Sequence, residues 1–445
     1  MMGAGVLPLH LPGNPALTTS KKVVNSPPPM PPQRPLYTFP LVSCLQGLAV
    51  VAILGLWPDT THAEPYLAVR YGYKCSQCHS NPTGGGKRNL FGTIFSQTEM
   101  PNKVVSGRDM TRLLNLSRSW FEEGGEVNTK AESKNMEEDF SVGSTFHSGY
   151  VTDFLSLGGD FRFNYRATFN GSNDTNSFNT TQGNLYGSVE LLDGALSFYL
   201  DEHVAPGGAT SREVFGLLRG PWNSYLKAGR MFLPFGLRLQ DDTAFIREVT
   251  GFNFGVQDVG VEVGLEPGPW SMSLAVSNGS QGSSDNNTDK QVTGLVSFIQ
   301  RYWRLGAQST WNNTPGAKRV AVGAFAGVNL GALEIPGLDL EPVTLLGEID
   351  HIVDDFRSGS MQRQLLLYGA VNYEIMKGLN LKFTYDFADP DMSESDDSFI
   401  RASTGFEYTM TQFTQLRVFY RFRDATRSNP RDGESLLDFE IHLFF

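Results

Sequence analysis

The last eleven residues of the chain constrain its fold most. In SLLDFEIHLFF (435–445), Leu437, Phe439, Ile441, Leu443 and Phe445 fall on one side of an extended chain, with Asp438, Glu440 and His442 between them. Successive side chains of a strand point to opposite faces, so this alternation describes a strand with one apolar and one polar face. The pattern recurs. In 379–388, Leu379, Leu381, Phe383, Tyr385 and Phe387 alternate with Asn380, Lys382, Thr384 and Asp386. In 161–169, Phe161, Phe163, Tyr165, Ala167 and Phe169 alternate with Arg162, Asn164, Arg166 and Thr168. In 416–423, Leu416, Val418, Tyr420 and Phe422 alternate with Arg417, Phe419, Arg421 and Arg423.

A soluble sandwich also alternates, and composition helps to choose. Hydrophobic residues make up only 40% of the chain, Gly is frequent (47) and aromatics reach 12%. This is the balance of strands that are apolar on one side only. The terminal strand, apolar on alternate positions and closing on Phe445, resembles the last strand of outer-membrane barrels. Backbone groups facing lipid must be paired, so such a sheet must close on itself. Candidate strands begin near 144, 159, 184, 195, 213, 224, 257, 269, 290, 301, 318, 342, 362, 379, 398, 414 and 436. Single-chain bacterial barrels have even strand numbers, so one candidate is assigned to a plug or loop, leaving about sixteen strands. The expectation is an all-β, transmembrane antiparallel β-barrel with a small, mostly irregular or helical N-terminal plug. The polar stretches 171–183 and 277–290 read as extracellular loops. AGRMFLPFG (228–236) resembles a segment of phosphate-selective porins, in which a Gly-Arg strand runs into Leu-Pro-Phe-Gly.

The net charge is -11, and residues 1–63 contribute Lys21, Lys22 and Arg34 against Asp59. An acidic chain is a poor match for nucleic acid, whose binding relies on neutralising phosphates. Five acids in DPDMSESDD, Asp389, Asp391, Glu394, Asp396 and Asp397, form a loop suited to gathering cations or simply to solvation.

Residues 41–56, LVSCLQGLAVVAILGL, are uncharged, apolar and short for a membrane span. Thr61-His62-Ala63 follows, with small residues at the positions a signal peptidase reads. Residues 1–63 are therefore expected to be a leader with a signal peptide cut near Ala63, Met30 being an alternative start. That predicts export to the outer membrane of a Gram-negative bacterium. Of three cysteines, Cys44 falls in the leader; Cys75 and Cys78 remain.

Those two lie in Lys74-Cys75-Ser76-Gln77-Cys78-His79. Cys-x-x-Cys-His is the attachment signature of c-type haem. Cysteines three apart share one face of a helical turn, where two thioethers can grip the macrocycle. His79 then takes the proximal iron position. A zinc site needs four ligands and usually a second pair. A redox pair of the thioredoxin kind needs a βαβ setting. A plain disulfide leaves the adjacent histidine without a role. For the distal iron ligand, Met100 in QTEMP and His147, lumen-facing in a first strand near 144, are the candidates. Arg162, Arg166, Arg417, Arg421 and Arg423 point inward, either paired with carboxylates or seating haem propionates.

The segment Pro65–Phe95 resembles the N-terminus of the fused cytochrome–porins of iron-oxidising bacteria. The matching residues are Pro65, Ala68, Arg70, Gly72, Cys75, Cys78, His79, Asn89, Phe91, Gly92 and Phe95. Arg70 falls one place late, Thr93 stands where Arg is usual, and Gly84-Gly85-Gly86 departs from the pattern. The resemblance implies a plug at 64–140 carrying one covalent haem c, inside a barrel at 141–445. It implies electron transfer between an extracellular donor or acceptor, such as ferrous iron, and a periplasmic carrier such as a soluble cytochrome. Such a chain is an electron-transfer protein before it is an enzyme, Fe(II) oxidation being the one reaction implied. The alternative is a solute-conducting porin whose plug bears a haem or a disulfide.

Overall fold

The computed structural model describes residues 64–105, 149–171, 174–282, 285, 287–425 and 433–445. The leader and His147 lie outside these residues, as does the candidate strand start near 144. Sixteen strands form one closed antiparallel barrel. β1 (Leu155–Phe169) pairs with β16 (Ser435–Phe444), from Asp160 opposite Phe444 to Phe169 opposite Ser435. The last strand thus closes on the first, as expected of its alternation, and no sheet edge is left open.

Exposure follows the period-two pattern. On β6 (Asp258–Leu265), Val259, Val261, Val263 and Leu265 are exposed while Asp258 and Glu262 are buried. On β16, Phe439, Ile441 and Leu443 are exposed, and Asp438 and His442 are buried. An apolar outside around a charged inside is the reverse of a soluble protein, and it requires lipid outside. No helix among the described residues is long and apolar enough to cross a membrane; the strands do so.

One polar loop is shorter than its sequence suggests. β2 (Thr175–Leu191) begins inside 171–183 and pairs Thr175 with Thr168 and Asn179 with Asn164. Thr175, Asn176, Asn179 and Thr181 at its start are exposed, so the hairpin continues beyond the apolar belt. Ladder hydrogen bonds do not depend on side-chain polarity, so composition misplaced this boundary.

The lumen is filled from two directions. From the N-terminal side come α1 (Pro65–Tyr71), α2 (Cys75–Cys78) and α3 (Leu90–Thr98). From the wall, β5 (Ser224–Met231) ends and the chain turns inward until β6. This inward loop carries α4 (Phe245–Glu248) and buries Phe232, Phe235, Leu237, Leu239, Phe245 and Ile246. Tyr66, Leu67, Val69, Phe95 and Met100 of the plug share its hydrophobic cluster. A barrel with lipid outside has its core in the middle of the pore.

Polar anchors tie both inserts to the wall. Arg70 pairs with Glu374, and Lys382 pairs with Glu64 and with Glu407. Asn81 Nδ2 donates to Glu213 (2.8 Å), and Lys227 Nζ donates to Asn81 Oδ1 (3.1 Å). Lys227 also pairs with Glu262 at 2.9 Å, both side chains fully buried. The inward loop is held by Leu237 N donating to Glu348 (2.6 Å) and Phe245 N donating to Asp386 (3.0 Å). After α3 the plug leaves along the turn between β14 (Phe399–Thr411) and β15 (Thr414–Asp424), where Asn102 N donates to Thr409 O (2.9 Å).

Candidate functional site

Cys75–Cys78 form a single helical turn. His79 N donates to Cys75 O (2.9 Å), and the Gln77 side chain accepts from Lys74 N (2.7 Å). Asn89 locks the turn from outside. Its Nδ2 donates to Ser76 O and Gln77 O, each at 3.0 Å, while its Oδ1 caps α3 by accepting from Gly92 N (2.9 Å). A Cβ on Gly92 would lie 2.0 Å from Cys78 O, so only glycine lets α3 approach this closely. The Gly92→Ala variant is therefore expected to lift α3 off the turn. In haem-free protein this should show as faster alkylation of both thiols, and unchanged rates would mean that the contact relaxes without cost.

Gly84, Gly85 and Gly86 all have positive φ, at 86°, 82° and 62°. This triplet wraps the turn closely. A Cβ on Gly84 would sit 3.2 Å from Cys75 Sγ, and one on Gly86 would sit 2.2 Å from the Tyr199 hydroxyl. Gly84 thus adjoins the first thiol, while Gly85 and Gly86 close against Arg238 and Tyr199.

Cys75, Cys78 and His79 line one cavity inside the barrel, with about 210 Å³ open to the centres of water molecules. Tyr73, Phe95, Tyr225, Phe235, Leu237 and Phe254 give it apolar walls. Tyr73 meets Phe95 and Phe91 edge to face, with centroids 5.8 and 5.4 Å apart. Both cysteines are free thiols. Burial, followed by the charges of Arg88 and Arg238, lowers the His79 imidazole to about 4. Burial, then Cys75, pushes the Cys78 thiol up to about 11. A neutral imidazole with its lone pair available is the form a metal takes.

These residues fit a c-type haem. Two thiols lie on one turn beside a cavity lined by aromatic and cationic side chains, burial favours the neutral form of the adjacent imidazole, and its Nδ1 is buried without a hydrogen-bond partner. They do not fit a bare metal ion, because no group of three or more His, Cys, Asp or Glu comes together among the described residues.

Met100 is buried in the lumen cluster and is not among the residues lining the cavity. His442 does line it, but its Nε2 lies 3.1 Å from Asp160 and its Nδ1 lies 3.1 Å from Gln415 Oε1.

The five arginines singled out by alternation are all paired with carboxylates: Arg162 with Asp160, Arg166 with Asp438, Arg417 with Glu407 and Glu440, Arg421 with Asp438, and Arg423 with Glu434. The cavity instead takes Arg88, Arg212, Arg238 and Arg304 as well as Arg162. Alternation showed which arginines face inward but not which lack a partner.

No protein-family model and no curated protein matches the sequence. Solved structures do. The anion-selective porin from Comamonas acidovorans superposes with a TM-score of 0.53 at 12% identity, covering 65% of this chain and 99% of that one. The fold is that of an outer-membrane porin. The outer-membrane channel DcaP of Acinetobacter baumannii (TM-score 0.49, 12% identity, 65% of this chain and 97% of that one) is also similar. So is OmpT of Vibrio cholerae (TM-score 0.49, 11% identity, 66% and 99%). At these identities the likeness is one of fold.

Proposed function

We propose that this porin-fold barrel is a single-haem cytochrome of the outer membrane, moving electrons between an extracellular donor or acceptor and a periplasmic carrier. The observation that carries this reading is the placement of Cys75, Cys78 and His79 together on a cavity in the middle of a filled lumen. A c-type haem would supply a reversible one-electron carrier at that point. The chain's own residues would do the rest. Cys75 and Cys78 would hold the macrocycle by thioethers, and His79 would offer its neutral imidazole to the iron. Asn89, Gly92 and the glycine triplet would keep the turn rigid, and the Tyr73–Phe91–Phe95 cluster would exclude water. The plug and inward loop would stop solutes where electrons pass. One haem is far shorter than the roughly 30 Å hydrocarbon layer, so a periplasmic partner and an entering donor are both required. Ferrous iron is the donor that the family resemblance names.

The test uses intact cells. A membrane-impermeant reductant added outside should reduce the haem, read as its sharpened visible bands. A haem that stays oxidised until the cells are lysed would overturn the proposal.

The fold comparison favours a second reading, a solute-conducting porin whose plug bears the motif. Planar-bilayer recording separates the two. The electron conduit should stay nearly closed, and discrete solute-conducting steps from the intact protein would favour the porin.

A further inference from the structure

The cavity reverses the charge of the chain. The protein carries a net charge of -11, yet six basic and only two acidic side chains line this space. Both acids are engaged. Asp160 lies 3.0 Å from Arg162 and 3.1 Å from His442, and Glu64 pairs with Lys382. Lys74 donates to the Glu266 backbone oxygen at 2.7 Å. The remaining cations are poorly compensated. Arg212 comes no nearer to a carboxylate than 3.8 Å from Asp201. Arg88 Nε, Arg212 Nε, and Nε and Nη1 of Arg238 are buried without a hydrogen-bond partner, while Arg238 Nη2 donates to Leu233 O at 3.1 Å. Buried guanidiniums left this way are costly unless a counter-charge joins them.

Aromatic rings hold these groups in place. Phe232 and Phe254 cross edge to face with centroids 5.4 Å apart. The Arg212 guanidinium sits 5.2 Å from each ring, and that of Arg238 sits 4.8 Å from Phe232. Arg88 lies 4.8 Å from the Phe444 ring. A stacked guanidinium keeps its in-plane donors free for a planar anion. This wall is close to the thiols. A Cβ on Gly85 would lie 3.1 Å from Arg238 Cδ, while the preceding residue, Gly84, adjoins Cys75 Sγ.

We propose that Arg88, Arg212 and Arg238 form a carboxylate-binding wall in the lumen. The apolar lining around them favours an organic anion over an inorganic one. Two sources share that chemistry: the carboxylates of a haem attached at Cys75 and Cys78, or a free dicarboxylate entering the pore. The first source rests on the function proposed above; the wall itself does not.

The experiment titrates succinate calorimetrically into the purified full-length protein, both haem-loaded and as the haem-free Cys75→Ala/Cys78→Ala form. The haem-free form should bind, and Arg88→Gln/Arg238→Gln in that background should weaken binding by about tenfold per arginine. Arg319→Gln, whose guanidinium is already paired with Asp354 at 2.7 Å, should leave binding unchanged. Binding by the haem-free form alone assigns the wall to the haem carboxylates, and equal binding by both forms assigns it to a free solute. If the protein never takes up haem, the haem reading fails while the succinate result still decides the wall. No binding by the folded haem-free form, or equal binding by the double arginine variant, overturns the proposal.

Discussion

Replacing Cys75 and Cys78 with alanine is expected to remove all covalent haem from the barrel while the barrel still folds. Expressed in a host that matures c-type cytochromes, the parent protein should stain for haem and give a pyridine haemochrome spectrum in the outer-membrane fraction. The double variant should give neither. Its barrel should survive, because neither thiol belongs to the buried core and all sixteen strands pair without them. Folding is checked by the mobility shift of the unheated barrel on a gel. A folded parent without haem would return the motif to an unassigned pair of thiols and leave a porin. Haem retained in the variant would show a mode of binding that does not use the turn.

The second large effect is expected from Arg401→Met. Arg401, on β14, is fully buried between Asp386 at 2.9 Å and Asp241 of the inward loop at 3.1 Å. Removing the guanidinium leaves the fully buried Asp386 without its cation, while Asp241 keeps only Arg421 at 3.6 Å. Breaking a buried pair in this way costs about 3–5 kcal/mol. The cost should fall on the loop, because β13 (Leu379–Asp389) and β14 remain paired along ten positions. Limited proteolysis of the folded barrel should then cut within 232–257, and single-channel conductance should rise as the lumen opens. A resistant loop with unchanged conductance would show that the anchors at Glu348 and Glu213 hold it alone.

Each anchor explains a limit on what the sequence reveals. The arginines at 401, 417 and 238 look alike in a linear text, yet the first two pair with carboxylates and the third donates only to the Leu233 carbonyl. Pairing depends on strands brought together by barrel closure, such as Arg417 on β15 reaching Glu440 on β16. The inward loop was silent for a similar reason. No candidate strand was placed between 224 and 257, but nothing in the alternation of Leu233, Phe235, Leu237 and Leu239 says that this segment turns into the lumen. The segment leaves the wall as Glu213 and Glu348 accept from Phe232 N and Leu237 N, and Asp386 from Phe245 N farther along the loop. Met100 was singled out by nearness in sequence to the motif, and its place in the lumen cluster could not be read from the text.

What could be read directly was whatever physics demands of neighbouring residues. A strand between lipid and lumen must alternate every second residue, so the sixteen-strand barrel and its closing segment 435–445 were visible before any coordinates. The haem attachment proposed here would take two thiols and an imidazole from adjacent residues, so Cys75, Cys78 and His79 could be singled out as a unit from the text alone. Tertiary structure alone decided that the plug and loop meet inside the barrel, and that the cavity beside the motif is cationic in an acidic protein. Those features are sums over side chains from many strands. They exist only once the barrel has closed and the carboxylates have chosen their partners.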